Sequence, residues 1–242
     1  MEKNLDKNNL PKHVSVIMDG NGRWAKKQGA ARVFGHKNAI KAVRDTVEGC
    51  AELGISHLSL YAFSTENWGR PKNEVDALMQ LLVSTIKSEM KTLMKNDVKL
   101  SSIGDIENLP GKCFNELKAA KEQTAQNKGL NLILALNYSG KWDITQACKK
   151  ALVACKNGEM SDKDLTDSNF ESFLSTAGIP DPELLIRTSG EFRISNFMLW
   201  QLAYSEIYIT EVLWPDFRKE HLINALRNYQ TRERRFGKVI SE

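Results

Sequence analysis

No pair of cysteines is spaced to bind a metal, no apolar run is long, no nucleotide phosphate loop is present and no charge dominates. Each absence removes a class of function. The four cysteines, Cys50, Cys113, Cys148 and Cys155, form no CxxC pair. All fall in helical patterns, so they are expected to be reduced core thiols of a cytosolic protein rather than ligands or disulfides. The longest apolar runs are five or six residues, far short of the roughly 18 that cross a bilayer. Met1 to Lys12 is polar and carries no secretory h-region. No G-x-x-x-x-G-K-[ST] run exists, which excludes a P-loop. The net charge of +4 is the difference between 34 basic and 30 acidic residues. That balance argues against nucleic acid, which calls for a basic stripe, yet suits an anionic small ligand if arginines converge.

The 242 residues, 41% hydrophobic and 26% charged, have the composition of a globular chain. Strand and helix patterns alternate along it. Strands are expected at 14–18, 57–63, 98–103, 130–136, 184–187 and 206–212. Helices are expected at 37–53, 73–95, 111–126, 142–155, 195–204 and 217–235. This order predicts an α/β fold: a single domain with a mainly parallel sheet of about six strands flanked by helices. Residues 12–240 read as the domain and 1–11 as a polar N-terminal extension. The segment 157–178 reads as a surface excursion.

Asp19 is the most informative residue. It ends the apolar run Val14-Ser15-Val16-Ile17-Met18 and precedes Gly20-Asn21-Gly22-Arg23-Trp24. Ligands of open α/β sheets bind outside the carboxyl ends of strands, and a helix beginning there presents free N–H groups to phosphate. A carboxylate in a phosphate cradle implies a bridging divalent cation. The same residues fit a G-x-G-x-x-G/A dinucleotide pattern weakly. The acidic partner expected about 20 positions on is missing, because Ile40 to Arg44 fall inside a helix.

Other candidates also cluster at strand ends. Arg23, Arg32 and His36 offer forked and titratable donors to phosphate. Ser64, Thr65, Glu66, Asn67, Trp68 and Arg70 follow the second strand as a polar binding loop. Arg187, Arg193, Ile194 and Ser195 surround a second turn, and Ser195 is expected to cap a helix there. Two phosphate cradles suggest two phosphorylated substrates held side by side. Glu206 is a candidate second carboxylate for a metal.

Together these segments resemble the cis-prenyltransferase family. The resemblance rests on His13–Trp24 with its MDGNGRWA core, Gly35-His36, YAFSTENWGRP at 61–71 and NYSGKWDI at 137–144. It continues through IRTSGEFRISNF at 186–197, LWQLAYSEIYITEVLWPDF at 199–217 and RERRFG at 232–237. It covers nearly the whole chain. It implies that isopentenyl diphosphate units are added in cis to an allylic diphosphate, farnesyl diphosphate, giving undecaprenyl diphosphate for the cell-wall lipid carrier. It further implies Mg²⁺ on Asp19, with Glu206 assisting. Gly20, Asn21, Gly22, Arg23, Trp24, Arg32, His36 and Arg70 would hold the allylic diphosphate. Arg187, Arg193, Ile194 and Ser195 would hold isopentenyl diphosphate, and Ser64 to Trp68 would line the reacting centre with Asn67 catalytic. Bacterial members are cytoplasmic homodimers, and Arg235 and Gly237 match an element that reaches the partner's site. Release of product implies transient membrane contact. Many members carry His where this chain has Phe192, which cannot ligate. The chain has no DDxxD motif, which argues against the all-helical trans-prenyl synthases. An apolar tunnel for the growing chain is expected between helix 73–95, Ala62, Phe63 and strand 130–136.

Overall fold

Six parallel strands in the order β3-β4-β2-β1-β5-β6 make up the sheet of the computed structural model, which describes residues 5–235. In chain order the elements are β1 (His13–Ile17), α1 (Asn21–Lys27), α2 (Arg32–Glu52), β2 (His57–Ser64), α3 (Lys72–Lys95), β3 (Lys99–Ile103) and α4 (Gly111–Gln123). There follow β4 (Asn131–Tyr138), α5 (Gly140–Lys156), α6 (Asp167–Phe170), β5 (Leu184–Thr188), β6 (Glu206–Thr210) and α7 (Lys219–Gln230). β1 and β5 are buried at every position, as strands covered on both faces must be.

Residues of alternate parity divide the core into two layers. Val14, Val16, Leu58, Leu60, Leu132, Leu184 and Ile186 face α2, α3, α4 and α7. Ile17, Ile133, Ala135 and Leu185 face the other way, toward Tyr138, Phe197, Met198 and Leu202. The second layer corrects one expectation. Residues 195–204 form consecutive turns rather than a helix, because Ser195, Asn196 and Met198 all take positive φ. Ser195 is therefore not a helix cap. The turns pack Phe197 and Met198, both fully buried, against the sheet. Two further boundaries move: α2 begins at Arg32, not at 37, and α7 stops at Gln230. Cys50 and Cys113 are buried as expected, but Cys148 is exposed on α5, so it is not a core thiol.

The connections from β1 and from β5 leave the sheet in opposite directions, β1 toward β2 and β5 toward the edge strand β6. The carboxyl ends of β1 and β5 thus form the switch point where open α/β sheets bind ligands. One irregularity lies nearby. Tyr61 pairs with Ala135 but Phe63 pairs with Leu136, leaving Ala62 as an extra residue on β2. Such a bulge re-aims a side chain beside a site, and Ala62 is exposed between two better-buried neighbours. The N-terminal extension is held in place where it is described: Gln230 of α7 donates to the carbonyls of Asp6 (2.6 Å) and Asn9 (2.9 Å). Among the described residues no helix is long and apolar enough to cross a membrane.

Candidate active site

Asp19 stands at the β1–β5 switch point, and its carboxylate is held on both oxygens. The Gly20 N–H donates to Oδ1 at 2.7 Å and Arg187 Nη2 donates to Oδ2 at 2.9 Å. The backbone is fixed as firmly, since Asp19 N–H donates to Thr188 Oγ1 (2.9 Å) and the Thr188 hydroxyl donates to Asp19 O (2.7 Å). Gly20 takes φ +104° at the head of α1, where a Cβ would also meet Leu213 and Ser189 at about 3 Å. Glycine is the residue that accepts both demands.

Two arginines, Arg187 and Arg23, reach this carboxylate, and three more pair with neighbouring acids. Arg187, 3% exposed, also donates to Ser195 Oγ (2.8 Å) and to the Arg193 carbonyl. Arg23 pairs with Glu191 (3.0 Å) and reaches Asp19 (3.5 Å) while donating to the Ser189 carbonyl (3.0 Å) and hydroxyl. Arg193 is exposed and pairs with Glu191. Arg32 and Arg70 share Glu74, at 3.5 and 3.0 Å. The mouth is thus lined by Arg23, Arg32, Arg70 and Arg187 against Asp19 and Glu66, which leaves a positive excess for an anion.

His36 lies among these arginines with Nε2 buried and without a partner. Burial, with Arg70 and Arg32 adding and Glu74 opposing, pushes its pKa down to about 4, so the ring is neutral at pH 7 and has one nitrogen left to bond a ligand. Asn21 Oδ1 is similarly orphaned. Gly35 is glycine because α2 crosses α1 closely: a Cβ there would sit 2.0 Å from the Asn21 carbonyl oxygen.

Below the mouth lies a cavity of about 780 Å³. Asp19, Asn21, Gly22, Arg23, Arg32, His36, Ser64, Glu66, Asn67, Arg70, Arg187 and Ser195 line its upper part, and its depth is walled by apolar residues of α2, α3, β2 and β4. Ala62, Leu78, Leu82 and Ile86 all line it.

Of the other expected residues, Gly20, Trp24, Thr65, Trp68, Arg193 and Ile194 do not line the cavity. Trp24 stacks on Phe34 (centroids 5.8 Å) and donates to Asp216 (2.8 Å), bracing the turn from behind. Trp68 is edge-on to Phe63 (5.0 Å) and donates to Asn137 Oδ1 (2.8 Å). Thr65 starts the short helical turn with Trp68, and Asn67 Oδ1 accepts from the Ser64 N–H at 3.1 Å, closing that turn. Ile194 packs on the second core layer. Glu206 is a correction. It opens β6 beside Leu184, which pairs with Val14, at the amino-terminal edge of the sheet. Five residues at ~3.3 Å each put Asp19 about 16 Å away, and Arg232 occupies Glu206 at 2.7 Å. Glu206 therefore shares no site with Asp19 in this chain. Arg235 is exposed and pairs with Glu233 at 2.6 Å, while Gly237 lies outside the described residues. Pattern reading had no way to single out Glu74, Glu191 or Thr188, whose partners come from distant elements.

No group of three His, Cys, Asp or Glu side chains is placed to hold a metal among the described residues. A hard cation that keeps its waters and a diphosphate in its shell needs few protein oxygens, and the Asp19 carboxylate, partly exposed to the cavity mouth, meets that requirement.

Comparison with known proteins agrees with this geometry. Residues 17–237 match the family model described as "Putative undecaprenyl diphosphate synthase". An isoprenyl transferase of Chlorobaculum tepidum is 52% identical over 96% of this chain and 88% of its own. The ditrans,polycis-undecaprenyl-diphosphate synthase ((2E,6E)-farnesyl-diphosphate specific) of Haemophilus influenzae is 48% identical over 96% and 98%. The crystal structure of lavandulyl diphosphate synthase from Lavandula x intermedia, in complex with dimethylallyl diphosphate, superposes with a TM-score of 0.93 at 36% identity, covering 96% of this chain and all of that one. With Asp19 and its arginines at the mouth of an apolar cavity and a match across almost its full length, the chain belongs to the undecaprenyl diphosphate synthase family of prenyltransferases.

Proposed function

We propose that this protein extends an allylic diphosphate, farnesyl diphosphate, by successive cis condensations with isopentenyl diphosphate to give a long-chain polyprenyl diphosphate, undecaprenyl diphosphate. The observation that carries the reading is the arginine-ringed Asp19 opening directly onto the apolar cavity. A diphosphate head needs the first and a hydrocarbon tail the second. The name of the Haemophilus influenzae relative, farnesyl-diphosphate specific, supports the allylic substrate and the product.

In this reading the allylic diphosphate lies against Arg23, Arg32, His36 and Arg70 with its tail in the cavity. The neutral His36 donates from Nε2 without adding charge, and the arginines, released from Glu74 and Glu191, meet the oxygens. The barrier is cleavage of the allylic C–O bond, and preorganised positive charge on the leaving oxygens lowers it. Isopentenyl diphosphate lies on the Arg187–Arg193–Ser195 side, its double bond facing the allylic carbon. A new C–C bond forms, diphosphate leaves and one proton is lost. A neutral amide is a very weak base, so Asn67 orients the substrate, and the Asp19 carboxylate or a diphosphate oxygen accepts the proton. Mg²⁺, held on Asp19, would supply further positive charge to the diphosphate oxygens. The cavity would serve as the tunnel for the growing chain.

A homodimer, with Arg235 and Gly237 reaching the partner's site, a cytoplasmic location and transient membrane contact at product release complete the proposal. Incubation with farnesyl diphosphate, radiolabelled isopentenyl diphosphate and Mg²⁺, with and without chelator, tests it. The expected result is a chelator-sensitive polyprenyl ladder. Absence of label in any prenyl product would overturn it.

A further inference from the structure

One ion pair stands in the largely apolar wall of the cavity well below its mouth, where Glu48, Thr85 and Thr92 are the other polar side chains of α2 and α3. Arg44 of α2 and Glu89 of α3 both line it. They bond in two places, Nε to Oε2 at 3.0 Å and Nη2 to Oε1 at 2.5 Å, the fork-on-carboxylate geometry that fixes orientation most firmly. Neither residue belongs to the diphosphate site. Arg44 lies eight residues beyond His36 and Glu89 fifteen beyond Glu74, about 12 Å and 22 Å along their helices at 1.5 Å per residue. Val43, Val47, Leu82, Ile86 and Leu93 surround the pair on the same walls. The Glu89 side chain is 13% exposed and the Arg44 side chain 47%, so the carboxylate turns inward and the guanidinium closes the outer seam between the helices.

Stability alone gives little reason for this arrangement. An ion pair with one exposed partner contributes about 0–1 kcal/mol, and an apolar pair would suit two helices beside an apolar cavity. A charged clasp does something an apolar pair cannot. It excludes hydrocarbon, because a chain end pressed against it must strip water and hydrogen bonds from ionised groups. It also joins the two walls at the point where their separation would open a lateral exit.

We propose that the Arg44–Glu89 clasp is a specificity-determining element that holds α2 and α3 together against the growing chain and so limits product length. The proposal rests on the prenyl-elongation reading above. Both residues act on the walls rather than on the reacting atoms.

The test compares the wild type with Glu89→Gln, Arg44→Met and the charge-exchanged double variant Arg44→Glu/Glu89→Arg. Each is assayed for product length with farnesyl and labelled isopentenyl diphosphate, for the rate of the first condensation, and for thermal unfolding. The single variants are expected to shift the ladder to longer products while the first condensation changes by less than about threefold. The exchanged pair is expected to return the ladder toward the wild type. An unchanged ladder in a folded Glu89→Gln protein overturns the proposal, as does lowered thermal stability with unchanged product length. Should Arg44→Met fail to fold, Glu89→Gln, which keeps shape and one hydrogen bond, decides alone. A wild type that makes no ladder refutes the prenyl-elongation reading instead, so the two failures are distinguishable.

Discussion

Ala62→Leu separates a tunnel from an ordinary core. Ala62 is the extra residue of the β2 bulge, is exposed, and lines the cavity opposite α3. In a filled core, the three added carbons would cost about 1–3 kcal/mol through overpacking. At 2–4 °C per kcal/mol for a chain of this size, Tm would then fall by about 2–12 °C. Into open space the leucine meets no such resistance, and Tm should fall by less than about 2 °C. The functional outcome should be opposite in kind. Arg23, His36, Arg70 and Arg187 stand at the mouth, so the first condensation should proceed near its normal rate. The lengthening tail must then pass the new isobutyl group, and elongation should stop after a few units. Thermal denaturation and chromatographic sizing of products on the same preparation read both effects. A lower Tm with an unchanged ladder would show that Ala62 is packing and that the tail runs elsewhere.

Asp19→Asn keeps the size of the side chain and one oxygen to accept from either Gly20 or Arg187 but removes the metal-binding charge; turnover should drop on the order of a thousandfold, about 4 kcal/mol of barrier, in a folded protein, and near-normal kcat at saturating Mg²⁺ would refute the role. Asn is the informative choice, because its amide oxygen still accepts one of these hydrogen bonds where Ala accepts none. Gly35→Ala places a methyl 2.0 Å from the Asn21 carbonyl; α2 must shift, and kcat/KM should fall on the order of a hundredfold through misplacement of the Asp19 turn, whereas kinetics within twofold of wild type would show that the turn is positioned independently of α2. His13 is buried, its Nδ1–H donating to the Pro180 carbonyl (2.6 Å) and its Nε2 accepting from Ser59 (2.7 Å), and burial, opposed by that carbonyl bond and aided by His57, pushes its pKa to about 4. The unfolded chain therefore binds the extra proton between about pH 6.5 and 4, so this contribution, about 3 kcal/mol, is complete above pH 6.5 and is lost as pH falls through that window; unfolding free energies from denaturant titrations should show it, and His13→Gln should flatten the slope.

Much of this protein is legible along the chain. Runs such as Val14–Ile17 and Leu132–Leu136 announce buried parallel strands because a strand covered on both faces admits little but Val, Ile and Leu. Six strands alternating with helices leave few topologies. Asp19 before two glycines at a strand end marks the ligand turn, since the local backbone and the chemistry coincide within four residues.

Tertiary structure decided what depends on partners distant in sequence. Residues 195–204 have helical spacing, yet the demand to bury Phe197 and Met198 on the sheet and to place Ser195 on Arg187 drove three residues into positive φ. Glu206 looks like a second metal carboxylate until strand register puts it at the far edge with Arg232. The bulge that turns Ala62 into the cavity arises from pairing with β4, and the clasp from two helices whose spacing no single helix records. Local sequence specifies what a segment can become. Register and packing choose which of its side chains meet, because those contacts are made between elements whose separation is fixed only once the sheet is assembled.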